Sequence, residues 1–285
     1  MAVVNTNIGA SIAQNALSKN ERSMNTAMER LSTGKRINGA KDDAAGLAIS
    51  SRMTSQINGL ATGMKNASDA VSMISVADGA MVEIGNMLQR MRELALQASN
   101  GTTTSADRDY LNTEYQNLIT EIERIAQNTQ WNGTDILNVA SNSVKYQVGA
   151  NGGQTIAVDF AAVDQTNGSA FGVFAAGASA VSIAAGTGAS ALTAGTEAVT
   201  KIDAAITELN ENRATFGAAI NQLTYAMDNL ASVKVNSEAA RSRIEDANYA
   251  EETSELARTA IIHQAGLAML AQANQVTATV LALLK

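Results

Sequence analysis

Residues 259–284 read TAIIHQAGLAMLAQANQVTATVLALL, a segment that carries no formal charge when its one His is neutral. Gln, Asn and Thr side chains interrupt it, whereas a membrane-spanning helix needs about 20 mostly apolar residues. Its apolar side chains recur at steps of 4, 3, 4 and 3, which predicts a helix with one seam for packing against other helices. The seam residues are Met269, Ala273, Val276, Val280 and Leu283.

The beginning of the chain has a similar character. No side chain is charged before Lys19, and Ile8, Ile12 and Ala16 fall at helical spacing. Two uncharged, weakly apolar helical ends can bury little surface alone, so we expect them to order against each other and against copies of the same chain. This pattern is typical of a subunit that polymerises.

The composition of the 285 residues disfavours an enzyme. The chain has no Cys and one His, so thiolate nucleophiles, disulfides, Cys-ligated metals and His clusters are excluded. We therefore expect no catalytic, cofactor-binding or metal-binding residues. The net charge of −7 disfavours nonspecific binding to nucleic acid or to an anionic membrane. The N-terminus lacks a conventional secretory signal, so either the protein stays in the cytoplasm or another machine exports it.

Between the two ends, helical periodicity dominates. It runs from Ala44 to about Ser99, and after a turn at 100–105 it resumes from Asp107, which predicts a helical hairpin. Short alternating stretches around Val144–Val148 and Ile156–Phe160 predict a small β region. A stretch rich in Ala, Gly, Ser and Thr then predicts a surface loop over 167–196, after which a long helix follows.

Six strings carry a more specific signal, because they occur together in one order along the chain. They are Leu31–Asn38 (LSTGKRIN), Ala40–Ile49 (AKDDAAGLAI), Gln89–Gln97 (QRMRELALQ), Thr129–Gly133 (TQWNG), Ala240–Ala250 (ARSRIEDANYA) and Leu270–Gln275 (LAQANQ). With them, residues 1–160 and 197–285 closely resemble bacterial flagellin.

The resemblance implies a mainly α fold, in which paired N- and C-terminal helices form a coiled coil and long helices plus a small β-hairpin form an outer core. Residues 1–43 and 243–285 correspond to the inner coiled coil, 44–166 and 197–242 to the outer core, and 167–196 to a short surface insert. The implied function is a structural subunit of the flagellar filament. The alternative is a hook-filament junction protein of the same axial family.

Charged residues near the two ends suggest an ionic cluster. Lys35, Arg36 and the Asp42-Asp43 pair could be read as a phosphate or nucleic-acid patch, but the carboxylates cancel the positive charge. We instead expect ion pairs between subunits that fix register. The intramolecular counterparts are Arg241, Arg243, Glu245 and Asp246. For His263, a packed or channel-lining role is favoured over a ligand or a pH switch.

The resemblance also implies partners. They are further copies of the chain, a cytoplasmic export chaperone, a filament cap protein, hook-filament junction proteins and the animal Toll-like receptor that senses flagellin, with export by the flagellar type III route. The implied receptor contact consists of Gln89, Arg90, Arg92, Glu93, Leu94 and Glu114. The alternative role for these residues is axial contact between stacked subunits.

Two further expectations concern the ends and the insert. The outermost residues, about 1–36 and 243–285, should be disordered in the monomer and become helical in the polymer. Ser179, Ser182 and Thr187 are candidates for O-linked glycan, although a bare loop is an equal alternative.

Overall fold

Long helices account for most of the computed structural model, which describes residues 7–138, 142–160, 163, 182–183 and 189–283. The mainly α fold predicted from the sequence is confirmed. In chain order the elements are α1 (Ile8–Thr33), α2 (Ala44–Ala98), α3 (Ser105–Asn128), β1 (Gln130–Trp131), β2 (Thr134–Asp135), β3 (Asn142–Gln147), β4 (Thr155–Phe160), α4 (Ala189–Glu245) and α5 (Tyr249–Leu283).

The chain divides into two compact units. Met1–Ile57 and Val235–Lys285 form one, which we call the terminal unit, and Asn58–Lys234 form the other, the central unit. Both dividing points fall inside a long helix, α2 or α4. The breaks between helices lie elsewhere, at the loop that precedes Ala44 and at the loop that precedes Tyr249.

The core of the central unit is built on one face of α2. Met81, Ile84, Leu88 and Met91 are fully buried at helical spacing, as the periodicity predicts. Side chains from the other elements complete this core, among them Tyr115, Ile122, Phe160, Ile202, Leu209, Phe216 and Leu223. Among the described residues, α2 is the one helix that is long and apolar enough to cross a membrane, judged by length and composition alone. Many of the apolar side chains of α2 are buried in this core.

The predicted β region consists of two small antiparallel hairpins. In the first, Asn132 and Gly133 both have positive φ (49° and 76°), as a two-residue type I′ turn requires. In the second, Val144 pairs with Val158 and Tyr146 with Ile156. The two alternating stretches predicted from the sequence are therefore cross-strand neighbours.

Glycines let the second hairpin approach α2 closely. A Cβ at Gly63 would lie 2.7 Å from the carbonyl oxygen of Val148, so only glycine fits there without a shift. Beside it, Asn66 Nδ2 donates to the carbonyl oxygen of Gln147 (2.9 Å). The Tyr146 hydroxyl donates to Met73 Sδ (2.8 Å), and burial raises the pKa of Tyr146 to about 12.

Helix α4 begins at Ala189, within the segment 167–196 that the sequence predicts to be a loop. The prediction of a loop is therefore wrong from residue 189 onward. Alanine, which is frequent there, has the highest intrinsic helix propensity, and close packing compensates the cost of Gly195. A Cβ at Gly195 would lie 2.2 Å from Ser99 Oγ, so the absent side chain permits close approach to α2.

Candidate assembly and recognition surfaces

Helices α1 and α5 pack against each other within the terminal unit, as the paired ends predict. Their contact is held partly by Asn side chains, which donate to backbone carbonyls of the other helix. Asn7 Nδ2 donates to the Ala273 oxygen (3.0 Å), and Asn20 Nδ2 donates to the Thr259 oxygen (2.7 Å). These asparagines were not identified from the sequence, where a polar residue on an apolar seam gives little indication of its partner.

Charged and titratable side chains also cross this pair of helices. Arg30 Nη1 lies 2.9 Å from Glu252 Oε1, a carboxylate that is mostly buried. His263 Nε2 lies 3.3 Å from Glu21 Oε1. His263 is thus half-buried beside α1, consistent with a packed histidine.

The face of α1 that contacts α5 does not include the two isoleucines named from the sequence. Ile8 and Ile12 are 57% and 65% exposed, whereas nearby residues of α1 such as Ala10 and Ala13 are half-buried. On α5, Met269 is 66% exposed, whereas Ala273 is half-buried. Ile8, Ile12 and Met269 of the predicted assembly residues therefore lie outside the contact between α1 and α5, and their packing against copies of the chain stays a prediction. The inward-facing side chains on α1 are Ala10, Ala13, Leu17, Asn20, Met24 and Ala27.

Three residues of the predicted α5 seam cannot be assigned in this way. The side chains of Val276, Val280 and Leu283 lie outside the described part of the chain, although α5 itself extends to Leu283. Further N-terminal on α5, Ile261, Ile262 and Leu267 are exposed together with Met269. In the described residues, the isolated subunit therefore leaves apolar side chains of α1 and α5 uncovered.

A short clasp joins the loop after α1 to the end of α4 within the terminal unit. Lys35 pairs with Asp246 as an isolated β-bridge, and its Nζ lies 2.5 Å from Glu245 Oε1. The Arg36 N–H donates to the Glu245 carbonyl (2.6 Å), and its guanidinium donates to the Ile244 carbonyl (2.6 Å). The structure thus brings Lys35 and Arg36 to the two acidic residues named as counterparts.

Within the described residues, the two aspartates of the predicted ionic cluster accept hydrogen bonds from the backbone and form no ion pair. Asp42 Oδ2 accepts the N–H groups of Asn38 (3.1 Å) and Gly39 (3.0 Å). Asp43 Oδ1 accepts the Gly46 N–H (2.8 Å) at the start of α2, as an N-terminal cap does. Both carboxylates therefore fix the loop that leads into α2.

The remaining arginines of the cluster differ from each other. Arg241 Nη1 donates to Thr54 Oγ1 (3.1 Å). Arg243 is exposed, and no hydrogen bond or ion pair of its side chain is found among the described residues. No group of three or more His, Asp or Glu side chains in the described ranges is arranged to hold a metal ion.

The predicted receptor surface centres on Arg90 of α2. Its Nε lies 2.8 Å from Glu114 Oε1 of α3, and its Nη1 lies 2.9 Å from Glu93 Oε2. The hydrogen bond to Glu114 contributes most to raising the pKa of Arg90, and the hydrogen bond to Glu93 raises it further. Gln89 is exposed next to them. Arg90, Glu93, Glu114 and Gln89 therefore form one solvent-facing patch across α2 and α3.

Two other members of the predicted set lie outside this patch. Arg92 Nε is 2.6 Å from Asp203 Oδ1 of α4, and that hydrogen bond raises the pKa of Arg92. Leu94 is fully buried in the core of the central unit. Leu94, which the resemblance places in the receptor contact, is therefore absent from this solvent-facing patch, because α2 turns this position into the core. Asp203 was not identified from the sequence.

The described part of the insert is attached to α3. Asn112 Oδ1 accepts the Ile183 N–H (3.2 Å) and lies 3.3 Å from Ser182 Oγ, while Ile183 is fully buried. Ser182 is thus half-buried in a contact, which makes it a poorer glycan acceptor than an exposed loop residue. The other two candidates, Ser179 and Thr187, lie outside the described residues.

The terminal helices are paired and leave apolar faces uncovered, and the same chain carries a well-packed helical core. This combination defines a self-assembling structural subunit. Two family models match the sequence: the bacterial flagellin N-terminal helical region over residues 4–142 and the bacterial flagellin C-terminal helical region over residues 199–284. The chain belongs to the bacterial flagellin family. It is a structural subunit of the flagellar filament, which serves bacterial motility outside the cell, and it polymerises and associates with other flagellar components.

Individual relatives support membership of the flagellin family. The flagellin of Halalkalibacterium halodurans is 41% identical, with 99% of this chain and 100% of that protein aligned. The flagellar filament 33 kDa core protein of Treponema phagedenis is 36% identical over 99% of this chain and 100% of its own. These full-length alignments support a minimal flagellin, that is, one with a short central region, as the short insert predicts.

A solved structure shares the fold. It is described provisionally as a flagellar hook-associated protein of Vibrio parahaemolyticus and superposes with a TM-score of 0.61, covering 72% of this chain and 100% of its own. Its 14% sequence identity supports the fold alone. The alternative of a hook-filament junction protein is therefore not better supported than the filament subunit.

Proposed function

We propose that the outward faces of α1 and α5 form the main contact between subunits in the filament. The observation that carries this proposal is the exposure of Ile8, Ile12 and Met269 on helices that have few charges nearby. Apolar surface of this kind is stabilised when neighbouring copies remove it from water. In this arrangement residues 1–43 and 243–285 form the inner coiled coil. Residues 44–166 and 197–242 form the outer core. The part of the insert that precedes Ala189, residues 167–188, lies at the filament surface.

The α1 and α5 pair is expected to be marginal before assembly. Ala27 is the one fully buried apolar residue of α1, and the buried residues of α5 in its described part are Glu252 and Thr259. Burial of so little apolar surface does not offset an ordering cost of about 1–2 kcal/mol per residue. Hydrogen exchange of the monomer should therefore show fast exchange in both helices and slow exchange in the central unit.

The polymer should reverse this result. Amides of α1 and α5 are expected to become protected in filaments, since neighbouring copies cover their outward faces. Strong protection of both helices in the monomer would contradict the proposal that assembly orders them.

The proposed ionic contacts between subunits involve Arg243 most directly. It is exposed and, within the described ranges, has no acidic partner in its own chain. Lys35 and Glu245 already form an ion pair within the chain, so we expect a neighbouring subunit to contact this pair as a fixed unit. Such pairs set the register of subunits more than they add affinity.

Export by the flagellar type III route is the proposed way to the cell exterior. A chaperone that binds the C-terminal tail would keep that tail unpolymerised in the cytoplasm, and a cap protein would direct folding at the filament tip. Junction proteins would connect the filament to the hook. These proposals are supported by family membership and by the weakly packed ends.

Deleting residues 2–30 is expected to abolish secretion. The deletion removes most of the N-terminal helix of the flagellin N-terminal region, where we place the export signal. The measurement compares protein in the medium with protein in the cell. A matched deletion inside the insert, residues 168–178, should leave secretion intact. Secretion of the variant that lacks residues 2–30 would argue against the route.

The proposed recognition surface for the host Toll-like receptor is the patch of Gln89, Arg90, Glu93 and Glu114. Arg90 is 49% exposed and holds a planar donor fork between two carboxylates, a geometry suited to an interface centre. The same patch can contact a stacked subunit in the filament, so receptor access requires free monomers. Leu94 has no direct part, because it is buried.

Replacing Arg90 with Ala should weaken receptor activation by monomer about tenfold or more, the effect of truncating an interface hot spot. Arg124→Ala is the matched control, since Arg124 is also an exposed arginine with an i,i+3 partner. A receptor-dependent reporter assay would compare both variants with wild-type monomer and intact filament. Equal potency of wild type and Arg90→Ala, or silence of the wild-type monomer, would refute the assignment.

A further inference from the structure

The turn between α2 and α3 places hydrogen-bond donors around an Asn-Gly pair. The main-chain carbonyl oxygen of Asn100 accepts from Arg108 Nη2 (3.2 Å) and from the Thr103 N–H (3.2 Å). The side-chain oxygen of Asn100 accepts from the Thr102 N–H (3.3 Å). The Gly101 N–H makes no hydrogen bond among the described residues, and both Asn100 and Gly101 are exposed.

Arg108 brings its positive charge into this turn, where its side chain is buried. It is 6% exposed, and its Nε also donates to the Ala98 carbonyl (3.0 Å), so its guanidinium serves as a cap for the end of α2. A buried cation beside a carbonyl oxygen favours negative charge on that oxygen. The position of Arg108 is held by the fold and costs no rearrangement at the moment of reaction.

We propose that Asn100 is a site of self-catalysed deamidation, in which the fold activates both reacting groups. Loss of the Gly101 amide proton leaves a negative charge that is shared between its nitrogen and the Asn100 main-chain oxygen, where Arg108 and Thr103 donate. The Thr102 N–H polarises the side-chain carbonyl that this nitrogen attacks. The local turn folds the side chain back over the Gly101 peptide.

The reaction needs only water and involves no oxidation. Hydroxide removes the Gly101 amide proton, and the nitrogen forms a bond to Asn100 Cγ. The side-chain nitrogen takes a proton from water, which regenerates hydroxide, and the bond from Cγ to this nitrogen breaks. Ammonia leaves, and a five-membered succinimide remains. Water opens this ring at one of its two carbonyls to give Asp or isoaspartate at position 100. The product adds one negative charge near Arg108, and isoaspartate lengthens the main chain of the turn.

The other Asn-Gly pairs in the described part of the chain lack this combination, and Asn167-Gly168 lies outside the described residues. Asn58 lies inside α2, where the helical backbone holds the two groups apart. Asn132 is fixed at positive φ in the type I′ turn. At Asn38, the following N–H donates to the Asp42 carboxylate, which opposes its deprotonation. The Asn151 main-chain oxygen accepts from Gln147 and Gln154, but neither donor is charged.

The test follows deamidation of the full-length monomer at mildly alkaline pH by peptide mass spectrometry, with isoaspartate methyltransferase labelling as a second readout. Each Asn-Gly pair is measured in the folded protein and in urea. Asn100 should react about tenfold faster when folded, which corresponds to about 1.4 kcal/mol off the activation free energy. Asn58 and Asn132 should react more slowly when folded than in urea.

Two variants separate the chemistry from simple exposure. Gly101→Ala should slow the reaction without affecting the fold, because the Cβ meets no atom within 4 Å and the φ there is not positive. Arg108→Gln, checked for native helix content by circular dichroism, should bring the Asn100 rate down to its value in urea. The comparison on the wild-type chain stands even if Arg108→Gln does not fold. An Asn100 rate that is no higher in the folded protein than in urea would overturn the proposal.

Discussion

Filaments are expected to disappear when Met269 is replaced by Asp, while the subunit keeps its fold. Met269 is 66% exposed in the isolated chain, so a carboxylate there remains in water and costs the monomer little. In the filament the same position would be covered by a neighbouring copy. Burying an unpaired charge costs several kcal/mol, and the cost recurs in each subunit.

Electron microscopy after induced polymerisation would measure the filaments, and circular dichroism of the monomer would check the fold. Met269→Leu is the matched control, because it keeps an apolar side chain of similar volume and should assemble normally. Val280→Asp and Leu283→Asp are expected to act in the same way as Met269→Asp. Normal filaments from Met269→Asp would contradict the assignment of this face to subunit contacts.

Truncating Phe216 to Ala should strongly destabilise the central unit. Phe216 is fully buried on α4, and its ring centroid lies 5.3 Å from that of Phe160 on β4. Removing a buried Phe costs about 3–5 kcal/mol, since the cavity it leaves collapses only partly. In thermal unfolding this should lower the midpoint by roughly 10 °C.

Tyr225→Ala is the matched control for this change, because Tyr225 lies on the same helix and is 75% exposed. Its effect should stay within about 0.5 kcal/mol, as is usual at an exposed position. An equal loss of stability in the two variants would show that α4 does not pack on the core as described.

The sequence predicted the central unit well because its elements have clear periods. The buried residues of α2 step by 3 or 4 positions, and the alternation around Val144 and Ile156 matches the observed pairing of β3 with β4. The Asn100–Ser105 turn signal likewise coincides with the gap between α2 and α3. These signals are local, so they can be read without knowing which elements meet.

The contact face of α5 could not be derived in the same way. Its sequence is rich in Ala and apolar on several sides, so neighbouring choices such as Met269 and Leu270 are nearly equivalent. The structure places Leu270 toward the half-buried side and Met269 outside. Contact with α1 decides this rotation, and α1 is more than 200 residues away in the chain.

Leu94 shows a second reason for error. It lies one turn beyond Arg90, which suggests a shared exposed face. Helix α2 is covered by both α3 and α4, as the pairs Arg90–Glu114 and Arg92–Asp203 show, so its buried stripe is wide. Arg90 lies at the edge of this stripe, where a long side chain reaches water, and Leu94 lies within it.

Electron cryomicroscopy of filaments grown from the purified protein tests the central claim most directly. The account predicts a helical filament in which α1 and α5 remain paired and the side chains of Ile8, Ile12 and Met269 contact neighbouring copies. Failure to form any filament, or a filament in which these three side chains face solvent and other surfaces join the subunits, would contradict it.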